Sequence, residues 1–348
     1  MWGRSMLSCK TRGFCPSCHA KRREEWGEWM REKLLLDVPH RQVVFTVPKM
    51  LRLFFRFKRK LLNSLCLSAV RALLKFFHTA TGLEITPGVV AVIQTFGARI
   101  NFHPHIHVLV TEGGIAPDGA FHRISGFNDG TICDLFSHEV FSLLLREKLI
   151  GLPLVQKILR WRHTGFNVHS QVRAQTRREA ERVGKYMIRP LLSLKRLFFD
   201  EGGKVRYQYD KHGSQEESMD YLEFIARVTS HIPEKGQVTI RYFGIYANAH
   251  RGKRRKEGHK LLIIEEECLK IPRRGWAEMI RKVYEVNPLT CPQCQGQMRI
   301  IAFLADYAVV DRIITHLKMT FIADKPPPPQ VAFQELLMAA EISTEYFS

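Results

Sequence analysis

The sequence predicts an α+β fold, and three observations predict it. Two apolar strands, Gly88–Phe96 and Arg99–Thr111, are separated only by Gly97-Ala98 and read as an antiparallel hairpin. Apolar residues recur at helical spacing through Leu51–His78 and again in the stretches between Asp134 and Arg189. With 348 residues, 45% of them hydrophobic, the chain is too apolar to be disordered and long enough for two or three domains.

Residues 1–37 carry a cysteine cluster followed by a charged helical stretch, Ala20–Leu36. Arg41–Val47 reads as a strand closed by Pro48. Leu51–His78 follows as one long helix, with Leu53, Phe54, Phe57, Leu61, Leu65, Ala69 and Ala72 on one face and Arg52, Arg56, Lys58, Arg59 and Lys60 on the other. No acidic residue lies between Val38 and Leu83, so this helix offers concentrated positive charge to a DNA backbone, a membrane surface or simply solvent.

After the hairpin, Pro117-Asp118-Gly119 turns into the short strand Ala120–Ile124. Helices are expected at Asp134–Leu149, Leu152–Arg162 and Gln171–Arg189, the last ended by Pro190. Leu194–Phe199 and Val205–Tyr209 flank Asp200-Glu201-Gly202-Gly203 as a second hairpin. Tyr221–Val228 reads as a helix, Val238–Tyr246 as a strand, and His250–Lys256 (HRGKRRK) as a basic loop. Trp276–Val286 and Tyr307–Lys318 read as helices, and Lys325–Pro329 opens a weakly structured tail. The chain shows no internal repeat.

Lys and Arg number 53 against 34 Asp and Glu, a formal charge of +19. Such a surplus favours a polyanionic partner, because each cation placed near a phosphate releases condensed counterions. Nucleic acid comes first and an anionic membrane surface second, while enzymes of cationic small molecules are disfavoured. The apolar runs fall short of the ~20 residues that span a bilayer. No signal peptide is read at the start, and the expected location is the cytoplasm.

Cys9, Cys15 and Cys18 crowd the N-terminus and Cys291-Pro-Gln-Cys294 forms a second pair, spacing that in a cytoplasmic protein suggests zinc rather than disulfides. Cys66, Cys133 and Cys268 stand alone and read as small buried hydrophobes.

The sharpest local signal is Phe102-His103-Pro104-His105-Ile106-His107-Val108. Alternation along a strand sends His103, His105 and His107 to one side, with neighbouring histidines about 7 Å apart at Cα, near enough to share one divalent ion. The same pattern also suits a hydrogen-bonded polar face. The second signal is the helix Gln171–Arg189, where Arg173, Arg177, Arg178, Arg182, Lys185 and Arg189 surround Tyr186. A tyrosine among cations can be an amphipathic anchor; beside a bound phosphodiester it can attack phosphorus, because cations stabilise the phenolate.

Four ordered segments, SCKTRGFCPSCHAKRREEW, HPHIHVLVTEGG, RVGKYMIRPLLSLKRL and VYEVNPLTCPQCQGQMRIIAFLADYAVVDRII, together resemble rolling-circle insertion-sequence transposases of the HUH (His-hydrophobic-His), two-tyrosine class. The resemblance runs from about Ser8 to Leu317. It implies a ferredoxin-like antiparallel sheet as HUH nuclease core with flanking helices, a partial N-terminal zinc-binding module and a C-terminal α/β extension. The corresponding division is 1–37 (partial zinc module), 38–200 (catalytic), 201–330 (accessory or DNA-binding, with the C-x2-C pair) and 331–348 (tail).

The resemblance further implies cleavage and strand transfer of single-stranded DNA at transposon ends. His105 and His107 would hold Mg2+ or Mn2+ and Tyr186 would form a 5′-phosphotyrosine, with no nucleotide cofactor and no membrane partner. Glu179, Gln94 and, weakly, His103 are candidates for the third metal ligand. Cys9, Cys15 and Cys18 are candidate Zn2+ ligands, and Cys291 and Cys294 read either as Zn2+ ligands or as a plain pair of buried thiols. Arg52, Arg56, Lys58, Arg59, Lys60, Arg182, Lys185 and Arg189 are the expected DNA contacts, in a bacterial, nucleoid-associated setting.

The sequence departs from the family pattern in two places. Relatives often carry two tyrosines one helical turn apart, whereas Arg182 and Pro190 occupy those positions here and Tyr207 or Tyr209 are weak substitutes on a strand. Relatives also show further cysteines upstream; the N-terminal zinc set reads as incomplete and the chain as a shortened copy, with His19 poorly placed beside Cys18. The alternative function is a non-catalytic zinc-containing DNA-binding protein, a decayed or domesticated transposase.

Overall fold

A computed structural model describes residues 16–251 apart from 125, 201 and 211–214, together with 287, 289–291, 293–298 and 316. In chain order the elements are α1 (Pro16–Trp29), continued by a π-helical turn at Met30–Leu34, β1 (His40–Thr46), α2 (Arg52–Phe57), α3 (Leu61–Thr81), β2 (Gly88–Phe96) and β3 (Phe102–Thr111). They continue as β4 (Gly113–Ile115), β5 (Phe121–Arg123), α4 (Asp129–Arg146), α5 (Leu152–Leu159), β6 (Asn167–His169), β7 (Arg173–Ala174) and α6 (Arg177–Met187). The last are β8 (Leu197–Phe199), β9 (Lys204–Gln208), β10 (Glu216–Asp220), α7 (Tyr221–Thr229) and β11 (Ile240–Gly244). The chain is thus α+β, as expected.

The main sheet runs β11-β2-β3-β1-β6, antiparallel at every pairing, with β7 also against β1. β3 is central: Ile106 lies between Phe45 of β1 and Ile93 of β2. Alternating side chains divide between two faces. One face, with Val43, Phe45, Ala91, Ile93, Ile106 and Val108, is buried under α3 and α4 through Leu62, Leu65, Leu73 and Phe136. The other, with Val90, Val92 and Leu109, is buried under α6 and the N-terminal helix through Met30, Ala180, Val183 and Met187. A sheet covered on both sides needs apolar residues at both parities, which is why β2 reads as a continuous apolar run. β8, β9 and β10 form a separate small sheet that buries Val205, Tyr207 and Met219 against Val228 of α7.

α3 is long and apolar enough to cross a membrane by length and composition. That corrects the expectation that no stretch reaches this length. Most of α3 is buried in the protein, against the sheet and α4. It stops at Gly82, whose φ of 65° places it in the left-handed region and whose N–H donates to the His78 carbonyl.

Several expected helices have different bounds: that expected at Asp134–Leu149 runs Asp129–Arg146, that expected at Leu152–Arg162 ends at Leu159, and two others differ for identifiable reasons. The stretch expected as one helix from Leu51 to His78 breaks at Lys58, where φ is −118° and ψ 74°, and resumes at Leu61. A continuous helix would stack Arg52, Arg56 and Lys60 at i,i+4 spacing, an arrangement of like charges that destabilises helices. The break instead lets Lys58 reach Glu147 at 2.6 Å and Arg59 reach the Ser230 carbonyl. The helix expected from Gln171 starts only at Arg177. Thr176 accepts the Glu179 N–H and the Glu179 carboxylate accepts the Gln175 N–H at 2.7 Å, a reciprocal capping box that fixes the start. Arg173 therefore lies on β7, off the helix, and pairs with Glu112 at 2.7 Å.

Residues 264–335 form a second compact unit. Within it the described residues make a tight hairpin in which Thr290 bridges Gln297, the Cys291 N–H donates to the Gly296 carbonyl and the Gln295 N–H to the Cys291 carbonyl. The basic loop beyond Arg251, the expected C-terminal helices apart from His316, and the proline tail lie outside the described residues.

Candidate active site

Strand parity delivers three imidazoles to the α6 side of the sheet. His103, His105 and His107 are all buried, with ring centres 5.2 Å apart for the first pair and 4.8 Å for the second. Gln94 of β2 and Thr46 of β1 are the cross-strand partners of His105, and Val92 and Val44 those of His107.

The His105 Nδ1–H donates to the His103 carbonyl at 2.7 Å, which fixes the tautomer and leaves a lone pair on Nε2. The Gln42 amide contacts His107 Nδ1 at 3.0 Å. Burial, above all, holds the three imidazoles below the ordinary histidine value, His105 at about 4, and the nearby Arg52 and Arg189 cations act in the same direction. All three are neutral near pH 7, the form that binds metal.

Nε2 of His103, Nε2 of His107 and Oε1 of Gln94 are buried without a hydrogen-bond partner, while the Gln94 amide nitrogen donates to the Met187 carbonyl. Buried polar atoms are nearly always paired, so these atoms fit a group with open coordination positions. Among the described residues no three His, Cys, Asp or Glu side chains are arranged to hold one ion. Imidazole nitrogens and the Gln94 amide oxygen are donor types that divalent ions accept.

Above them lies α6. The Tyr186 ring stands edge-on to His107, with ring centres 6.4 Å apart and planes at 87°. Nη1–H of Arg189 donates to the Tyr186 hydroxyl at 3.3 Å, and the same guanidinium lies 5.2 Å from the centre of the Tyr186 ring and 5.8 Å from that of Phe96. The N-terminal helix holds α6 in place. Gly184 packs on Met30 and Trp26, Lys185 pairs with Glu24 at 2.6 Å, and His19 Nε2–H donates to the Ile188 carbonyl at 2.5 Å.

Comparison with known proteins follows this geometry. A family described as "Putative transposase" matches residues 88–254, spanning the histidine strand and Tyr186, and one described as "Transposase zinc-binding domain", of the IS91 type, matches residues 3–47. The "Transposase for insertion sequence element IS801" of Pseudomonas savastanoi pv. phaseolicola is 28% identical over 318 residues, 85% of this chain and 75% of that protein. The "Putative transposase y4qJ" of Sinorhizobium fredii is 28% identical over 333 residues, 84% of this chain and 79% of its own length. The chain belongs to the IS91-family transposases. No solved structure matches it.

Within this transposase the remaining expected residues are spread widely. Glu179 is turned back into its capping box, away from the histidines. Tyr207 is buried in the core of the small sheet, and Tyr209 stacks under Arg99 at 4.7 Å. Of the basic residues, Arg56, Lys60 and Arg182 are exposed and Arg52 is buried. Lys58 pairs with Glu147, Lys185 with Glu24 and Glu181, and Arg59 with main-chain carbonyls, so these three charges are neutralised or bound within the fold.

Cys18 is half-buried on α1, whereas Cys9 and Cys15 lie outside the described residues. His19 is engaged by Ile188. Cys291 accepts from the backbone N–H groups of Cys294 and Gln293, which hold its thiol below the ordinary value. The transposase also contains site residues that the sequence reading missed. Gln42 looked like an ordinary strand residue, and only the register of β1 against β3 puts it behind His107.

Proposed function

We propose that this transposase nicks and rejoins single-stranded DNA at transposon ends by the rolling-circle, HUH-type route. The observation that carries the reading is the edge-on approach of Tyr186 to His107, which puts a nucleophile beside a neutral imidazole whose Nε2 is buried and unbonded. In this reading β1, β2, β3 and β6 of the main sheet belong to a ferredoxin-like nuclease core in residues 38–200, to which the accessory region 201–330 adds the edge strand β11, and the N-terminal zinc module and the tail lie outside it.

His105, His107 and Gln94 would hold Mg2+ or Mn2+, which would neutralise charge on the scissile phosphate. The Tyr186 oxygen attacks phosphorus, the bond to the 3′-oxygen breaks, and that oxygen leaves to become a free 3′-OH. Arg189, donating to the Tyr186 hydroxyl, holds the nucleophilic oxygen in place. The 5′-phosphotyrosine conserves the phosphodiester linkage for the later attack by a 3′-OH, so no nucleotide is hydrolysed. Zn2+ on the N-terminal cysteines would organise the module whose helix backs α6, away from the chemistry.

The test is nicking of a labelled single strand spanning an element end, with Mn2+, on a denaturing gel. Wild type should nick and His105→Ala/His107→Ala should not. Equal nicking by both would overturn the metal assignment, and nicking of duplex in preference to single strand would overturn the substrate.

A further inference from the structure

Among the described residues four Arg, Lys, Asp or Glu side chains are buried: Arg52, Glu112, Glu139 and Glu181. Three of them are paired. Glu112 meets Arg41, Arg123 and Arg173; Glu139 meets Arg71 and Lys75; Glu181 meets Arg31 and Lys185. Arg52 is the exception. It is 8% exposed, it donates once, from Nε to the Val47 carbonyl at 3.2 Å, and none of the described carboxylates pairs with it. An unpaired buried charge is costly, and proteins retain one where a ligand supplies the counter-charge.

Its location says which ligand. Arg52 opens α2, which packs against β3, the strand that carries His103. Its charge acts on His103 and His105, whereas that of Arg189 acts on His105 and His107. The histidine row thus feels two guanidinium groups, and among the described residues no carboxylate is among the groups acting on any of the three. Nε2 of His103 is buried and unbonded at the Arg52 end. Such a cleft selects an anion with several acceptor oxygens.

We propose that Arg52, with His103 beside it, is a phosphate clamp that holds a backbone phosphodiester of the single strand at the cleaved linkage or one nucleotide from it. This deepens the nuclease reading and rests on it. The Arg52 guanidinium donates to non-bridging oxygens, and neutral His103 presents Nε2 to the same group, while Tyr186 and Arg189 act at the other end of the histidine row. Burial lowers the Arg52 pKa to about 10, which leaves it fully charged at neutral pH and strongly in need of an anion.

The test measures affinity for a fluorescent single-stranded oligonucleotide carrying the element end, in Tyr186→Phe protein that cannot cut. Arg52→Gln should weaken binding roughly tenfold and lower the slope of log affinity against log salt by ~0.7, the value for one single-strand phosphate contact. Arg52→Lys should keep the slope. Oligonucleotides with a neutral methylphosphonate at the cleaved linkage or either neighbour should locate the contact. At one of these positions the methylphosphonate and Arg52→Gln should cost no more together than either alone.

Thermal unfolding of DNA-free Arg52→Gln should show no loss of stability, because the change removes an uncompensated charge. An unchanged salt slope, or additive effects at all three positions, would overturn the clamp. Wild-type protein that neither binds nor nicks any element strand would instead overturn the nuclease reading.

Discussion

The phenol of Tyr186 meets the imidazole of His107 edge-on at 6.4 Å, joining a helix and a strand that lie 79 residues apart in sequence, from 107 to 186. That contact depends on two separate supports, the Gln42 amide behind His107 and the N-terminal helix behind α6.

Gln42 contacts Nδ1 of His107, the ring that the proposed nuclease mechanism makes a metal ligand, and would act as partners behind ligating histidines generally do. Gln42→Leu should weaken Mn2+ binding by about 10- to 100-fold, read from a Mn2+ titration followed by electron paramagnetic resonance. Unchanged affinity would reduce Gln42 to ordinary packing.

Gly184 is where α6 rests on the N-terminal helix. A Cβ there would approach the Met30 Cε to 2.3 Å and Trp26 to 3.2 Å, and Met30 is fully buried. Ala gains ~1 kcal/mol in helix propensity over Gly, but overpacking costs about 1–3 kcal/mol. Gly184→Ala should therefore destabilise by about 1 kcal/mol in urea unfolding, and a stabilised variant would show that the helices part easily.

Glu112 anchors β1, β5 and β7 through Arg41, Arg123 and Arg173. Burial alone would raise its pKa; hydrogen bonds and charge from Arg173 and Arg41 outweigh this and hold it below the ordinary carboxylate value. Its contribution is present above the unfolded-state pKa and lost as pH falls through the folded one. Breaking a fully buried pair costs about 3–5 kcal/mol. Because the Arg123 and Arg173 side chains are 55% and 41% exposed, Glu112→Gln should cost less, about 2 kcal/mol at pH 7, and progressively less as the pH falls below the unfolded-state value.

His40 gives a second pH dependence at a higher window. It is fully buried against the Tyr246 hydroxyl at 2.7 Å, and burial lowers its pKa to about 4. A lowered folded value means the unfolded chain takes up the proton first, so stability is full above about pH 6.5 and falls as the pH drops towards 4. The loss at pH 5 should be about 2 kcal/mol from this group. Urea midpoints at pH 7.5 and 5.0 check it: His40→Gln should narrow the difference, and an unaltered difference would assign the acid sensitivity elsewhere.

Much of this was legible in the sequence because it is local. The apolar run of β2 and the H-x-H spacing of β3 follow from residues a few positions apart, and the observed strands Gly88–Phe96 and Phe102–Thr111 nearly match the expectation. The start of α6 was also written in the chain, as the Thr176-to-Glu179 capping box, but basic periodicity hid it. The break at Lys58 was harder to read because its partners, Glu147 and Ser230, are far along the chain. The approach of Tyr186 to His107 and the lack, among the described residues, of a carboxylate for Arg52 are properties of register and packing, which no local pattern carries.

The central claim is that Tyr186 is the nucleophile. The direct measurement is incubation of wild-type protein with Mn2+ and a 5′- and 3′-labelled single strand spanning an element end, followed by denaturing electrophoresis and mass mapping of any adduct. A covalent protein–DNA species retaining the 3′-labelled fragment, with its phosphate on the Tyr186 peptide and absent in Tyr186→Phe, is the predicted result. Undiminished adduct or nicking in Tyr186→Phe would contradict it.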